Sequence, residues 1–188
     1  VYGQAVAVSA DLSSSVGVPA GPIVISDGAG ASCLISGANG SCNLLPANAG
    51  TITLRADFAG TATHLASSAS GSHLVERAAT VISAGTPFPP AFPTQIPRQF
   101  APLRVPVSLL VQAPGSGAPS GTITVQNTVG IESCAIVLPA GSCDLIPQTA
   151  GNLSLTLSYP GDTRFLPALQ TLELAVLPDR LYRDGFED

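Results

Sequence analysis

Four cysteines carry most of the chemistry this chain can offer, and they come as two pairs of equal spacing. One pair lies in Ser32-Cys33-Leu34-Ile35-Ser36-Gly37-Ala38-Asn39-Gly40-Ser41-Cys42-Asn43-Leu44-Leu45-Pro46. The other lies in Ser133-Cys134-Ala135-Ile136-Val137-Leu138-Pro139-Ala140-Gly141-Ser142-Cys143-Asp144-Leu145-Ile146-Pro147. Thiols in such pairs either hold a metal or oxidise to a bridge. A closed zinc site needs four ligands, and no His or third Cys stands at ligand spacing. Four cysteines allow three pairings, and only Cys33–Cys42 with Cys134–Cys143 makes each copy self-contained. Turn formers lie between the cysteines (Gly37, Asn39 and Gly40; Pro139 and Gly141). Each copy therefore reads as a β-hairpin with its cysteines facing across the two strands. Bridged cysteines point to an oxidising compartment, the periplasm or the outside of a cell.

The remaining candidates for chemistry are sparse. His64 and His73 are the two histidines. Phe165 stands in the second copy where His64 stands in the first, which marks a packing position. No Gly-x-Ser-x-Gly elbow accompanies the many serines. No catalytic residue is assigned, and the chain is read as a non-enzyme without a cofactor. Asp11, Asp27, Asp57, Asp144 and Asp162 are scattered, whereas calcium needs several converging oxygens. No metal site is assigned, and calcium is left only the domain junctions. Asp162 follows Gly161, where an aspartate accepts backbone N–H bonds within its turn.

The elements that position the cysteines read as short strands. Gln4–Ala10 places Val6, Val8 and Ala10 on one face, and Ile23–Ser26 ends at an Asp27-Gly28 turn. Thr51–Phe58 alternates cleanly, with Ile52, Leu54, Ala56 and Phe58 inward. A last strand falls within Ser70–Glu76. The order then recurs at an offset near 101. Val107, Leu109 and Val111 answer Val6, Val8 and Ala10. Pro119-Ser120-Gly121 answers Pro19-Ala20-Gly21, and Ile123 and Val125 answer Ile23 and Ile25. Leu153, Leu155, Leu157 and Tyr159 answer Ile52, Leu54, Ala56 and Phe58. Leu172, Leu174 and Val176 close the copy. Six or seven short strands per copy, punctuated by turns, is the pattern of an antiparallel β-sandwich. No stretch holds a 3.6-residue period, so almost no helix is expected.

Composition supports the same class. The 188 residues are 45% hydrophobic and only 10% charged, with 19 Gly and 17 Pro spread along the chain. All seven basic residues are Arg and the net charge is −5, without a basic block, which disfavours nucleic acid. Mean hydropathy is +0.40, yet no apolar run approaches the roughly 18 residues of a spanning helix. The chain begins without Met or a signal peptide, so Val1 is read as internal to a longer precursor with domains upstream.

Between the copies, Ala79–Ser83 supplies a first strand for the second domain. Gly85 to Pro106 then holds Pro87, Pro89, Pro90, Pro93, Pro97, Pro102 and Pro106, a density that blocks ladders and favours extended polyproline II. It also holds Phe88, Phe92 and Phe100. These either pack on the sandwich wall or form a ledge for a glycan or protein ligand.

The ordered motifs resemble the bacterial immunoglobulin-like repeats of large exported surface proteins. The matching residues are Val1-Tyr2-Gly3-Gln4, Pro19-Ala20-Gly21-Pro22-Ile23-Val24-Ile25-Ser26-Asp27-Gly28 and Ala49-Gly50 in the first copy. In the second they are Pro119-Ser120-Gly121, Ala150-Gly151 and Tyr159-Pro160-Gly161-Asp162. Phe58-Ala59-Gly60-Thr61 and Gln126-Asn127-Thr128 depart from the pattern. The resemblance implies two tandem immunoglobulin-like domains, residues 1–76 and 77–176, the second carrying the insertion 85–106. It implies a structural stalk or adhesion module on a cell surface, with protein or glycan partners there. The first domain begins at what corresponds to a second strand. It is therefore expected to expose a sheet edge or to pair with a neighbouring molecule, and an upstream segment would fill that edge in the full-length protein.

Residues 177–188 differ from all that precedes them, with six charged residues among twelve. Tyr182, Asp184, Gly185, Phe186 and Glu187 resemble the short ends of exported proteins of some Gram-negative bacteria. Such a tail is either a solvated terminus or an address docked through its aromatics into an apolar groove.

Overall fold

The computed structural model describes residues 1–91, 93 and 95–179. Thirteen strands follow one another: β1 Val6–Asp11, β2 Ile23–Ser26, β3 Ser32–Ile35, β4 Asn39–Leu44, β5 Gly50–Phe58, β6 Ser67–Val75, β7 Thr80–Ala84, β8 Leu103–Val111, β9 Thr122–Asn127, β10 Ser133–Val137, β11 Ser142–Leu145, β12 Gly151–Tyr159 and β13 Ala168–Val176. No helix occurs among the described residues, and so none there is long and apolar enough to cross a membrane.

Strands β1–β6 build one sandwich from a two-stranded sheet, β1-β4, and a four-stranded sheet, β3-β2-β5-β6. Strands β7–β13 build the other from β11-β8-β7 and β10-β9-β12-β13. The ladders β1–β4, β2–β3, β2–β5, β5–β6, β8–β11, β9–β10, β9–β12 and β12–β13 are antiparallel. The chain is two immunoglobulin-like antiparallel β-sandwiches in succession. Period-2 side chains explain the layering, since alternate residues face the core. In the first sandwich Val8, Ile23, Ile25, Ile35 and Leu44 form one buried cluster drawn from both sheets. In the second, Ile123, Val125, Leu155 and Leu157 are fully buried from one sheet, as is Val105 from the other.

By contacts the residues fall into two compact units. One takes Val1–Ala79 with Val111–Ala118 and Thr163–Leu166. The other takes Thr80–Leu110, Pro119–Asp162 and the residues from Pro167 onward. Within the first unit Phe165 is buried, and its ring meets Tyr2 edge-on at 5.5 Å. The Arg164 guanidinium lies 5.2 Å from the Tyr2 ring centre.

Two expectations need correction. The cysteine segments are not hairpins. β3 pairs with β2 while β4 pairs with β1, so consecutive strands go to opposite sheets. β10 and β11 divide in the same way between β9 and β8. Each connection arches from one sheet to the other, so that Ile35 and Leu44, like Ile136 and Leu145, are buried from opposite layers. The second correction concerns proline. Residues 103–106 do not continue an irregular stretch but open β8, with Leu103 and Val105 buried. Pro106 is tolerated there because the ladder uses its carbonyl, which accepts the Gly85 N–H at 2.9 Å. Boundaries also move: the last strand of the first sandwich starts at Ser67, and the first of the second runs Thr80–Ala84.

Candidate functional site

Each sandwich carries a covalent clamp with a buried acid close by. Cys33 on β3 is bonded to Cys42 on β4, and Cys134 on β10 to Cys143 on β11. Because β3 and β4 lie in different sheets, as do β10 and β11, each bridge ties one sheet to the other. Cys33 stands opposite Ile25 and Cys42 opposite Val8, so the bridge is level with the core. In the second copy the partners are Val125 and Val105. Beside Cys143, Arg104 donates from Nε and Nη2 to the two oxygens of Asp144, both at 2.8 Å. That guanidinium holds the Asp144 carboxyl below its usual range.

The acids do in each copy what no backbone ladder reaches. Asp27 follows β2 directly and is 6% exposed. Its Oδ1 accepts N–H bonds from Ala29 and Ala31 at 2.8 and 2.9 Å, and its Oδ2 accepts one from Ala47 at 2.9 Å. Burial pushes this carboxyl up, but donors from Ala47, Ala29 and Ala31 more than offset it, so it lies below the ordinary value. The second copy divides the same task. Asn127 Oδ1 accepts the Val129 N–H, and Asn127 Nδ2 donates to Glu132 Oε2 at 2.9 Å. Glu132 Oε1 accepts the Gln148 N–H at 2.8 Å, as Asp27 accepts that of Ala47. The Gln148 N–H, the Glu132 N–H and the Asn127 amide hold the Glu132 carboxyl low. Both acids are ionised acceptors with committed lone pairs, which suits fastening and not proton transfer.

A second fastening closes the end of β12. Asp162 Oδ2 accepts from Ser120 N and Oγ at 3.0 and 2.8 Å, so it reaches a loop distant in sequence. The Tyr159 hydroxyl donates to the Ser120 carbonyl at 3.0 Å. Burial first, then the Asp162 carboxylate, push the Tyr159 hydroxyl up to about 12. In the first copy Thr61 replaces the aspartate and binds locally, accepting the N–H groups of Thr63 and His64. Gly21 and Gly121 take φ of 144° and 101° beneath Phe58 and Tyr159, which is why glycine recurs there.

Of the three phenylalanines singled out in the Pro-rich stretch, Phe88 is half-buried and exchanges both backbone hydrogen bonds with Arg104. Phe100 is 57% exposed with φ of 61°, and its N–H donates to Pro147 O at 2.8 Å. Gln99 Nε2 fastens the same corner to Gln148 O at 2.7 Å. Phe92 lies outside the described residues. So do Tyr182, Asp184, Gly185, Phe186 and Glu187. The described start of that tail is anchored, since Leu177 N–H donates to Pro97 O and Gln99 N–H to Leu177 O, each at 2.9 Å. His73 sits on β6, and His64 donates to or accepts from Thr63 Oγ1 through Nδ1 at 3.0 Å. Among the described residues no three His, Cys, Asp or Glu converge as metal ligands.

The first sandwich also has an open side. A groove of about 360 Å3 runs between β1 and β6, floored by Ile23, Ile25, Leu54, Ala56 and Phe58. Its walls are Val8, Ala10 and Leu12 on one side and the small residues Ser67–Gly71 on the other. Among the described residues no strand pairs with the outer edge of β1. The buried acids were missed from sequence, as was the groove beneath the expected open edge. An Asp-Gly pair reads as a solvated turn, and the donors at Ala47 and Gln148 are backbone N–H groups that residue type does not reveal.

No family model matches this chain, and no curated protein matches it. Solved structures match at low identity. The structure titled "Structures of Clostridium thermocellum CbhA fibronectin(III)-like modules" is 11% identical, with a TM-score of 0.45, over 100% of this chain and 93% of that one. The structure titled "Structural insight into host cell surface retention of a 1.5-MDa bacterial ice-binding adhesin" is 7% identical, with a TM-score of 0.36, over 94% of this chain and 58% of that one.

Proposed function

We propose that this chain is a non-catalytic structural module, a stalk or adhesion segment of an exported bacterial surface protein. Its domains are taken as residues 1–76 and 77–176, followed by the tail 177–188. The observation that carries the reading is the pair of bridges, each joining the two sheets of its own sandwich. A clamp across the core keeps the layers from sliding apart under load. It also fits an oxidising compartment outside the cytoplasm.

Pulling the intact chain from its ends in a single-molecule instrument tests this. Two unfolding events are expected. Reduction should lengthen each by about 25 Å, the span of the nine residues otherwise bypassed by a bridge. Extension without distinct unfolding events would sink the stalk reading.

A second reading rests on Phe100. A bulky residue at positive φ is unusual and costs of order 1 kcal/mol. This one is exposed and pinned by Pro147. We infer from it an alternative role as a glycan- or protein-binding accessory module, with Phe88, Phe92 and Phe100 forming the contact ledge. Glycan-array binding by the intact chain that is lost in Phe100→Ala would favour it over the stalk.

A further inference from the structure

The open groove of the first sandwich has a counterpart in the second that is filled, and the filling shows what the groove accepts. In the second sandwich β7 pairs with β8 and closes the gap toward β13. The Gln112 N–H donates to Ala79 O and the Gly85 N–H to Pro106 O, both at 2.9 Å, an antiparallel ladder. Thr80 and Ile82 of β7 are 7% and 4% exposed, and the Ala84 N–H reaches Gln170 Oε1 on β13 at 3.2 Å. At the repeat offset β1 answers β8, β6 answers β13, and Asp11 answers Gln112. No described strand answers β7.

The edge left on β1 is chemically complete. Leu12 donates its N–H to Ala38, on the β4 side. By the alternation of an antiparallel strand, the N–H and C=O groups of Ser9 and Asp11 then face outward. Below that edge, Leu54 and Ala56 are only partly buried, while their counterparts Leu155 and Leu157 are 0% exposed. Facing them, Ser67 to Ser72 of β6 are all exposed, with nothing larger than serine among them. The wall is small where an incoming strand would have to fit.

We propose that this groove is a strand-acceptor site. It takes one extended peptide with the pattern of β7, running antiparallel to β1. Uncharged small or β-branched side chains at alternate positions enter the groove, and the peptide backbone completes the ladder of Ser9 and Asp11. The occupant is a free strand-forming segment and not a second folded copy of this chain. Affinity comes from main-chain hydrogen bonds and selectivity from the alternate side chains, as in β-augmentation generally.

The test uses the intact chain and a synthetic heptapeptide with the sequence of residues 79–85, with its Ile82→Asp variant as control. Hydrogen exchange is followed at the amides of Ser9 and Asp11. The expected result is at least tenfold slower exchange with millimolar peptide and no change with the control. The same heptapeptide, joined ahead of Val1 by a flexible linker of about 18 residues, should protect those amides without added peptide, because tethering raises its effective concentration. Unchanged exchange in both formats overturns the proposal. So does concentration-dependent dimerisation of the chain alone that protects the same two amides, because the occupant would then be a second copy.

Discussion

Leu54 and Leu155 hold the same place in the two sandwiches, the fifth residue of β5 and of β12, and they live in different environments. Leu155 is fully buried, while Leu54 is partly buried above a groove. Ala56 and Leu157 repeat the contrast. Neither β5 nor β12 causes it, since both are nine-residue strands with the same inward positions. The cause is the next layer out. β7 lies beside β8 in one copy, while the outer edge of β1 carries no described strand, and β6 is Ser-rich where β13 carries Leu172 and Leu174. Burial at a core position is thus a property of the strand that covers it as much as of the residue itself.

The comparison can be broken most directly at these leucines. Leu155→Ala should destabilise the second sandwich by about 3–5 kcal/mol, the range for a well-packed leucine that leaves a cavity. Leu54→Ala should cost the first sandwich about 1–2 kcal/mol, because much of that surface already meets water. Urea denaturation followed by residue-resolved NMR would read both. Equal losses would show that the groove is closed in solution.

The bridges come next. Opening either one by Cys33→Ala/Cys42→Ala or Cys134→Ala/Cys143→Ala should cost about 2.5–3 kcal/mol from chain entropy alone. The entropy term is the same for both, so any larger loss in the first copy measures how far its open side depends on the clamp. Peptide mapping without reductant should recover Cys33 joined to Cys42, and a fragment joining Cys33 to Cys143 would refute the assignment.

The buried acids sharpen the comparison by charge. Asp27→Asn should cost about 2 kcal/mol at neutral pH, because one amide oxygen cannot replace two carboxylate oxygens and leaves a buried N–H without its acceptor. Glu132→Gln should cost less, since Asn127 shares its task. Both carboxyls lie below their ordinary values when folded. Their contribution is therefore full above the unfolded values and is lost as pH falls through the folded ones. Urea midpoints of the intact chain should decline below about pH 4, and the decline should be shallower in either variant. The smallest effect is expected at Gly21→Ala, about 1 kcal/mol from positive φ alone.

The strands and their inward faces were legible because period-2 alternation is local, as in Ile52, Leu54, Ala56 and Phe58. The sheet partners of the cysteine segments were not. Gly37, Asn39 and Gly40 suit an arch between sheets as well as a hairpin turn, and only the distant strands β1 and β2 decide between them. The open edge beside β1 was expected, but the exposure of Leu54 beneath it was hidden, because Leu54 reads as inward on alternation alone. The role of Asp27 was missed since its donors include Ala47, twenty residues away, which carries no side-chain signal. Asp162 was recognised as an acceptor, but its bond to Ser120 was not, since that loop is brought near only by the fold.

The arch between the bridged cysteines has a consequence for damage. Ser36, Gly37 and Ala38 connect the two sheets and lie between Cys33 and Cys42. A protease that cuts there severs the backbone but not the molecule. The new ends stay fixed to opposite layers of the same core through the sulfur atoms, and no strand is released. The cut chain keeps its mass and falls into two pieces only when reductant is added. In surroundings where proteases are met more often than thiols, a cut in this arch is one the molecule survives whole.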